Sequence, residues 1–219
     1  YIGEYNFNIS GNINDRVYLG LTVGIHDVNY DGYSEYTEAF LDGDKSAGDI
    51  TIADERRISG TGFDVKAGVI FRPVEESPFR IGFSIASPIW YDLETENYTT
   101  LYNNTPYGMY DDRNIGEVYE FKLSTPWKFG LSAGTTIGNY LALGAGYEFA
   151  DYGNIDSRIN TGSSYDFLTD SYYESSSPDR DMNRHTEESL KGVSTFKVGA
   201  EYRPDPSIAI RFGYNYVSP

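Results

Sequence analysis

The sequence has no cysteine among its 219 residues and no long hydrophobic run. Without cysteine, the chain can form neither a disulfide framework nor a thiolate metal site. A transmembrane helix is excluded because no stretch approaches the roughly 18 apolar residues that one requires. Basic residues are also few, since 17 Lys and Arg stand against 33 Asp and Glu and give a net charge of −16. Nucleic acid is therefore not expected as a partner, because its phosphates would repel such a chain.

Aromatic residues, in contrast, are abundant, and apolar and polar positions alternate along the whole chain. Aromatics make up 16% of the sequence, and 21 of them are tyrosine. Alternation with a period of two is typical of strands with one polar and one apolar side, and no sustained helical period accompanies it. We predict an all-β chain with eight strands, at about 2–10, 16–29, 60–72, 79–91, 116–136, 140–151, 189–202 and 207–217.

The predicted connections alternate between short and long. The short ones are rich in Gly, Pro, Asn and Asp, as tight turns require, and fall at 11–16, 72–78, 137–139 and 203–207. The long ones are polar and fall at about 30–59, 92–115 and 152–188. Because neighbouring strands run antiparallel, all short turns should lie at one end of the sheet. Residues 31–58, 92–114 and 151–188 hold 22 acidic and 7 basic residues, so the long connections carry nearly all of the net charge.

Long alternating strands with short turns at one end and long loops at the other are typical of an antiparallel transmembrane β-barrel. The apolar strand faces would then meet lipid, and the sheet would have to close, because unpaired edge groups are costly in hydrocarbon. We expect residues 1–219 to be a single barrel region in the bacterial outer membrane, with the long acidic loops outside the cell. The alternative is a soluble β-sandwich or a lipocalin-like barrel, in which the same faces would form a core.

The opposite strand faces carry charged, polar and glycine residues and would line the lumen. Opposite charges there predict cross-strand ion pairs, such as Glu201 with Arg211. Arg80, Lys122 and Lys128 are candidate lumen-facing residues for binding a ligand carboxylate. The alternative is that the lumen charges satisfy one another in a narrow or plugged barrel, although eight glycines on these faces leave space inside.

Two predicted strands contain a proline, Pro88 and Pro126, which removes a donor from the strand ladder. Both lie at about the height where a spanning strand of roughly 9–11 residues leaves the hydrocarbon. With Trp90 and Trp127, which suit an interfacial aromatic belt, they predict a kink or lateral opening in the wall. The apolar positions of 119–133 keep one parity across Pro126, so we expect them on one face. The alternative is an ordinary β-bulge above the membrane.

Three stretches resemble the FadL family of outer-membrane transporters for long-chain fatty acids and other hydrophobic compounds. They are 60–93, 124–153 and 194–219, the last of which contains VGAEYRPDPSIAIRFGYNY. The resemblance implies a barrel of about fourteen strands with an N-terminal plug, and passive passage of the ligand through the lumen and sideways through the wall. With about eight strands and no plug segment, we expect this chain to be a fragment of such a barrel. The wall kink of the family belongs to an early strand, so the kink at Pro88 and Pro126 is predicted from this sequence alone.

Other functions stay open. A general porin for polar solutes would have the same charged lumen, and a binding or adhesion barrel would use its loops. The acids of 42–49 are spaced as in calcium loops, though without the full pattern, which suggests weak calcium binding or bridging to lipopolysaccharide. An enzyme is not expected, because His26 and His185 have no nucleophile motif beside them. We expect no cofactor and no dedicated metal site, and the expected partners are a hydrophobic small molecule and outer-membrane lipid.

Overall fold

The computed structural model describes residues 1–43, 45–105, 108–116, 118–168 and 170–219. Within them, the chain forms one antiparallel sheet of thirteen strands, an α-helix and a short 3₁₀ helix. The strands are β1 (Ile2–Ile13), β2 (Val17–Asp42), β3 (Lys45–Phe71), β4 (Arg80–Ala86), β5 (Trp90–Thr105), β6 (Gly108–Ile115), β7 (Tyr119–Ser124), β8 (Lys128–Ile137), β9 (Leu141–Asp151), β10 (Asp156–Asp166), β11 (Ser171–Pro178), β12 (Gly192–Asp205) and β13 (Ile208–Val217). The helix α1 covers Arg180–Ser189, and the 3₁₀ helix η1 covers Tyr152–Asn154. Neither helix is long and apolar enough to cross a membrane.

All eight predicted stretches contain strand, and the prediction of an all-β antiparallel sheet is confirmed. The predicted number of about eight strands is wrong, because 79–91 and 116–136 are each interrupted at their proline and the predicted long loops add further strands. One part of the sheet has the order β1-β2-β3-β4-β8-β9-β12-β13. Its short turns, at 14–16, 72–79, 138–140 and 206–207, all lie at one end, as predicted. Asn14, Asp15 and Gly138 have φ values of 52°, 54° and 55°. Tight hairpin turns need such left-handed residues, because they match the twist of the flanking strands.

The eight-strand part of the sheet is open along two edges. Within the described residues, β1 pairs with β2 alone and β13 pairs with β12 alone. Both edge strands have exposed side chains along nearly their whole length. Unpaired backbone groups of this kind must find partners in a membrane, so these edges are where further strands would join.

The predicted long loops are mostly strands, so their predicted irregular conformation is wrong. β2 and β3 contain 26 and 27 residues and form a hairpin that reaches Asp42 and Lys45. β5 pairs with β6, and β10 pairs with β11. Alternation with β-favouring residues continues into these acidic segments, as in YSEYTEAF at 33–40, and both faces of a hairpin in water can be polar. The position of these hairpins outside the cell stays a prediction.

The side chains near the short turns divide cleanly between two faces of the sheet. One face, here called the outer face, is apolar and exposed; one row across it consists of Leu19, Val69, Phe83, Leu131, Tyr147, Phe196 and Tyr216. The inner face is small and polar; one row across it consists of Ser10, Gly20, Gly68, Ser84, Gly130, Glu148 and Thr195. Phe83 and Leu131 expose 56% and 46% of their surface, so no described part of the chain covers them.

Candidate functional site

Neighbouring strands are interrupted at one height, which is called here the break level. The interruptions are 87–89 between β4 and β5, 125–127 between β8 and β7, and 152–155 between β9 and β10. The fourth interruption is 179–191, which includes α1 and separates β11 from β12. The part of the sheet between the short turns and this level is the lower sheet, and the part beyond it is the upper sheet. Pro88 and Pro126, the predicted kink residues, lie within the first two interruptions.

The two faces of the sheet exchange character at the break level. In the upper sheet the outer face is polar, with a row of Asp27, Thr61, Asp92, Lys122 and Arg158. The inner face there is mainly apolar, with a row of Val28, Gly60, Leu93, Phe121 and Ile159. The apolar surface of the wall therefore passes from its inner side to its outer side at the height where the strands are interrupted.

The interruptions reverse which residues, odd-numbered or even-numbered, point to the inner face. Lys128 faces inward beside Ala86, whereas Ser124, four residues earlier, faces outward beside Trp90. Residues four apart in a regular strand point to the same side, so 125–127 must contain a local irregularity. The expectation that the apolar positions of 119–133 share one face is therefore wrong, because the alternation restarts with the opposite orientation after Pro126.

Side chains replace part of the ladder at the two prolines. The backbone N–H of Val65 donates to Oγ of Ser87 at 2.9 Å, and that hydroxyl donates to the carbonyl of Pro88 at 2.8 Å. The backbone N–H of Ile89 donates to Oγ1 of Thr125 at 2.8 Å. A buried backbone group without a partner is costly, and these hydroxyls supply the partners. The wall between the two proline segments is thus bridged by hydrogen bonds.

The next interval of the wall has no such bridge. Pairing stops at Lys128 with Ala150 and resumes at Ser124 with Asp156, so 125–127 stand opposite the five residues 151–155. No hydrogen bond joins these two segments within the described chain. The 3₁₀ helix η1 occupies this interval, with the side chain of Asp151 accepting from the backbone N–H of Gly153 at 3.2 Å. The ladder is interrupted more widely here than between the prolines.

Helix α1 fills the adjoining interruption through one side chain. Asn183 Oδ1 accepts from the backbone N–H of Ser157 at 2.7 Å, and Asn183 Nδ2 donates to the Ser157 carbonyl at 3.1 Å. The same Nδ2 donates to Oδ1 of Asp156 at 2.8 Å. The carboxamide thus bonds both backbone groups of Ser157, much as a peptide group of a neighbouring strand would.

A buried charged cluster lies on the inner face at the break level. Asp64, which is 1% exposed, has its Oδ1 3.0 Å from Nε2 of the buried His26. Nζ of Lys66 lies 3.4 Å from Oδ2 of Asp64 and 2.6 Å from Oε1 of Glu4. Gly24 makes room for this cluster, since a Cβ there would stand 2.0 Å from Asp64 Oδ1. An unpaired buried carboxylate is strongly unfavourable, so Lys66 and His26 compensate Asp64.

The cluster also has the composition of a metal site. Glu4, His26 and Asp64 each offer one ligand atom, and these atoms lie within 4.8 Å of one another. Imidazole and carboxylate ligands suit several divalent metals. The ammonium group of Lys66, however, already contacts both carboxylates and supplies the positive charge that they require.

The candidate ligand residues do not share one face. Arg80 and Lys128 lie on the inner face of the lower sheet, and the guanidinium of Arg80 sits 5.7 Å from the centre of the Tyr18 ring. Lys128 makes no ion pair with any described residue. Lys122 lies on the outer face of the upper sheet, where its Nζ is 3.7 Å from Oδ2 of Asp92. The expectation that Lys122 faces the lumen is therefore wrong, and the reversal at Pro126 is the reason.

The two tryptophans lie at the upper limit of the outer apolar surface. Trp90 is half exposed and stacks on Phe63, with ring centres 6.1 Å apart. Trp127 is also half exposed and immediately precedes the inward Lys128. Amphipathic rings favour the boundary between lipid and water, so both positions agree with an interface at the break level.

Sequence reasoning missed α1 and Asn183. The signal was present, because Asp179 caps the helix and its Oδ1 accepts from the backbone N–H of Met182 at 3.1 Å. Asp is a favoured N-cap residue, but the helix has only ten residues and no buried face to give a clear period. The predicted ion pair of Glu201 with Arg211 is confirmed, with Oε2 to Nε at 2.6 Å. The calcium candidate 42–49 includes Asp44, which lies outside the described residues.

Comparison with solved structures identifies the fold. No protein-family model matches the chain, and no curated protein is detectably similar to it in sequence. A structure described as the CymD monoaromatic hydrocarbon channel matches with a TM-score of 0.59 and 12% identity, over 99% of this chain and 59% of that one. The chain has the fold of part of a FadL-type barrel wall. The toluene transporter TodX of Pseudomonas putida matches with a TM-score of 0.55 and 11% identity, over 99% of this chain and 55% of that one.

The FadL-type resemblance is thus confirmed for the fold. The chain spans a little more than half the length of these two structures. The open edges at β1 and β13 agree with this, because the shorter sheet leaves both edge strands without an outside partner.

Proposed function

We propose that this chain forms part of an outer-membrane channel that passes hydrophobic small molecules sideways through its wall. The observation that carries the proposal is the exchange of faces at the break level, at the height where the strand ladder is interrupted. A hydrophobic molecule on the inner face of the upper sheet, near Leu93 and Phe121, would reach the lipid-facing side of the lower sheet by crossing the wall at the break level. The FadL-type fold supports this, since both similar structures are named for hydrocarbon passage.

The height of the lower sheet supports a position in the outer membrane. β8 and β9, which run from the short turns to the break level, have 10 and 11 residues. A transmembrane β-strand needs roughly 9–11 residues to cross the hydrocarbon. The break level would then lie at one membrane interface, with the acidic hairpins beyond it in water. Outer-membrane lipid would contact the outer face, and lipopolysaccharide or calcium would meet only the acidic upper hairpins.

The opening fits best at the interval between 125–127 and 151–155. The predicted position between Pro88 and Pro126 is bridged by two hydrogen bonds, from the Ile89 N–H to the Thr125 hydroxyl and from the Thr125 N–H to the Ile89 carbonyl. The interval occupied by η1 has no hydrogen bond across it within the described residues. Separating strands costs least where no ladder bonds have to be broken.

Lys128 is the residue best placed to bind an anionic head group. It lies on the inner face just below the break level, beside Ala86 and Ala150, and has no ion-pair partner among the described residues. A carboxylate at Lys128 would leave its hydrocarbon chain near Phe121 and the unbridged interval. Arg80 lies lower on the same face and is a second candidate. A neutral hydrocarbon would need neither residue.

The experiment is uptake by cells that lack their own transporter and express the intact parent protein. We would compare labelled toluene, labelled palmitate and a labelled disaccharide, with heat-modifiable migration on gels to show that the barrel is folded. Uptake of toluene or palmitate above the background, without uptake of the disaccharide, is expected. Disaccharide uptake alone would refute the proposal and favour the general porin, which the polar inner face of the lower sheet would also suit.

The variant Lys128→Gln distinguishes a fatty-acid ligand from a neutral hydrocarbon. If the ligand is a fatty acid, this variant should reduce palmitate uptake severalfold and leave toluene uptake unchanged. The matched control is Lys197→Gln on the same face, because Lys197 is already paired with Glu148 at 3.3 Å. Equal loss of palmitate uptake in both variants would show that only the general charge of the lumen matters.

A further inference from the structure

We propose that α1 is a gate in the barrel wall, held closed by the carboxamide of Asn183. The inference rests on the proposed lateral route and adds how that route would open. In the closed state α1 occupies the widest interruption, 179–191, between β11 and β12, next to η1 and the unbridged interval. Displacing α1 would free the edge of β10 and leave η1 without its neighbour.

The contacts of α1 are those of an element that can leave its place. None of its residues is buried, and its only large apolar side chain, Met182, is 53% exposed. A helix of ten residues without a packed apolar face is marginal in water. Its attachment is polar and concentrated on Asn183, whose three hydrogen bonds all go to Asp156 and Ser157.

The segments flanking α1 are anchored, so it can move without unravelling the sheet. On one side the backbone N–H of Asp179 donates to the carbonyl of Ser157 at 2.9 Å. On the other side the backbone N–H of Tyr152 donates to the carbonyl of Lys191 at 3.3 Å, beside the pair of Gly192 with Asp151. Beyond these bonds both flanks belong to paired strands, so residues 180–190 are the segment that moves.

Asn183 is suited to the role of latch. Its Oδ1 is the acceptor for the Ser157 N–H on this side, and its Nδ2 is a second donor to the Ser157 carbonyl beside the N–H of Asp179, so opening must expose the backbone N–H of a buried residue. Exposed to water, this group regains a partner, and the net cost of breaking such bonds is modest. A latch of this strength closes the wall at rest and still allows opening as a ligand passes.

The chain has no cysteine, so a disulfide tether can test the gate directly. A Cβ on Gly153 in η1 would stand 3.9 Å from Cα of Glu187 in α1, which is close enough for a disulfide between the two positions. Gly153→Cys with Glu187→Cys ties α1 to η1 and leaves Asn183 intact. The control pair is Gly199→Cys with Gly213→Cys, which face each other in β12 and β13 away from the break level.

In cells expressing the full parent protein, the oxidised tether should reduce toluene or palmitate uptake at least fivefold, and dithiothreitol should restore it. The oxidised control pair should take up the ligand as the parent does. Asn183→Ala should raise uptake severalfold. If the tether forms and uptake is unchanged, α1 is a fixed part of the wall and the gate is refuted, while the proposed channel stands.

A second measurement does not depend on transport. Ser157→Cys places a thiol at a buried position next to the latch, and its labelling by a membrane-impermeant maleimide reports opening. Labelling should be several times faster when Asn183→Ala is added. If the parent takes up no hydrophobic ligand, the proposed function fails, and this labelling rate alone decides the gate: equal rates with and without Asn183→Ala would overturn it.

Discussion

Below the break level the apolar side chains of the sheet point outward, and above it they point inward. In β2 and β3, which run through without interruption, the sequence itself makes the change, from Phe63 outward to Ile58 inward. In the strands with prolines, the apolar residues keep to the same alternate positions on both sides of the proline. The irregular backbone at the proline moves these positions from the outer face to the inner face instead. In both kinds of strand the change occurs at the same height, as expected if the proposed barrel wall passes there from lipid to water.

The lower sheet and the break level are also held together by different sets of hydrogen bonds. The lower sheet has continuous ladders and a buried charged cluster at its upper limit. Between the interrupted strands at the break level, isolated backbone bonds remain beside the side-chain hydrogen bonds of Ser87, Thr125 and Asn183. Ladder bonds act cooperatively along a strand, and isolated side-chain bonds are broken one at a time. The wall is therefore expected to yield at the break level first.

The largest effect should come from placing a charge on the outer face of the lower sheet. Leu131→Arg should cost about 2–4 kcal/mol of folding free energy in lipid vesicles, because the charge would lie within hydrocarbon. The measurement is urea-induced unfolding, followed by heat-modifiable migration. Thr61→Arg, on the outer face of the upper sheet, is the matched control and should cost little. Equal losses in both variants would contradict the assignment of the two regions to lipid and water.

An intermediate effect is expected where the charged cluster meets the backbone. Gly24→Ala should lower the free energy of unfolding by roughly 1–3 kcal/mol, because the new methyl group collides with the carboxylate of Asp64. Gly20→Ala lies on the same face of the same strand, with no atom within 4 Å of the added Cβ. Its unfolding midpoint should match that of the parent. A Gly24→Ala variant as stable as Gly20→Ala would show that Asp64 is not held over Gly24.

The smallest effect should be seen at the bridge between the two prolines. Thr125→Val removes the acceptor of the Ile89 N–H and should cost about 1 kcal/mol, with faster hydrogen exchange at Ile89. Thr61→Val makes the same change at an outer-face position without such a bond and serves as control. Unchanged exchange at Ile89 would mean that this interval is held by other contacts and that the wall is not weakened there.

Much of this architecture could be predicted from the sequence. Alternation located the strands, and turn chemistry indicated which end carries the short connections. The cluster of Glu4, His26, Asp64 and Lys66 is assembled from three strands, β1, β2 and β3, so the burial of Asp64 followed only from the pairing of these strands. The prediction of long loops was wrong because a hairpin in water can be polar on both faces, and its composition then resembles that of a loop.

The sequence by itself determined that strands would be interrupted at Pro88 and Pro126, since proline cannot donate to a ladder. Only the tertiary structure decided that Phe121 and Phe129 lie on opposite faces and that Lys122 points away from Lys128. It also decided that Asn183 completes the edge of β10. Composition and periodicity are local properties of the chain. The direction of a side chain after an irregular turn, and the partner of a free backbone group, depend on strands that lie far away in sequence.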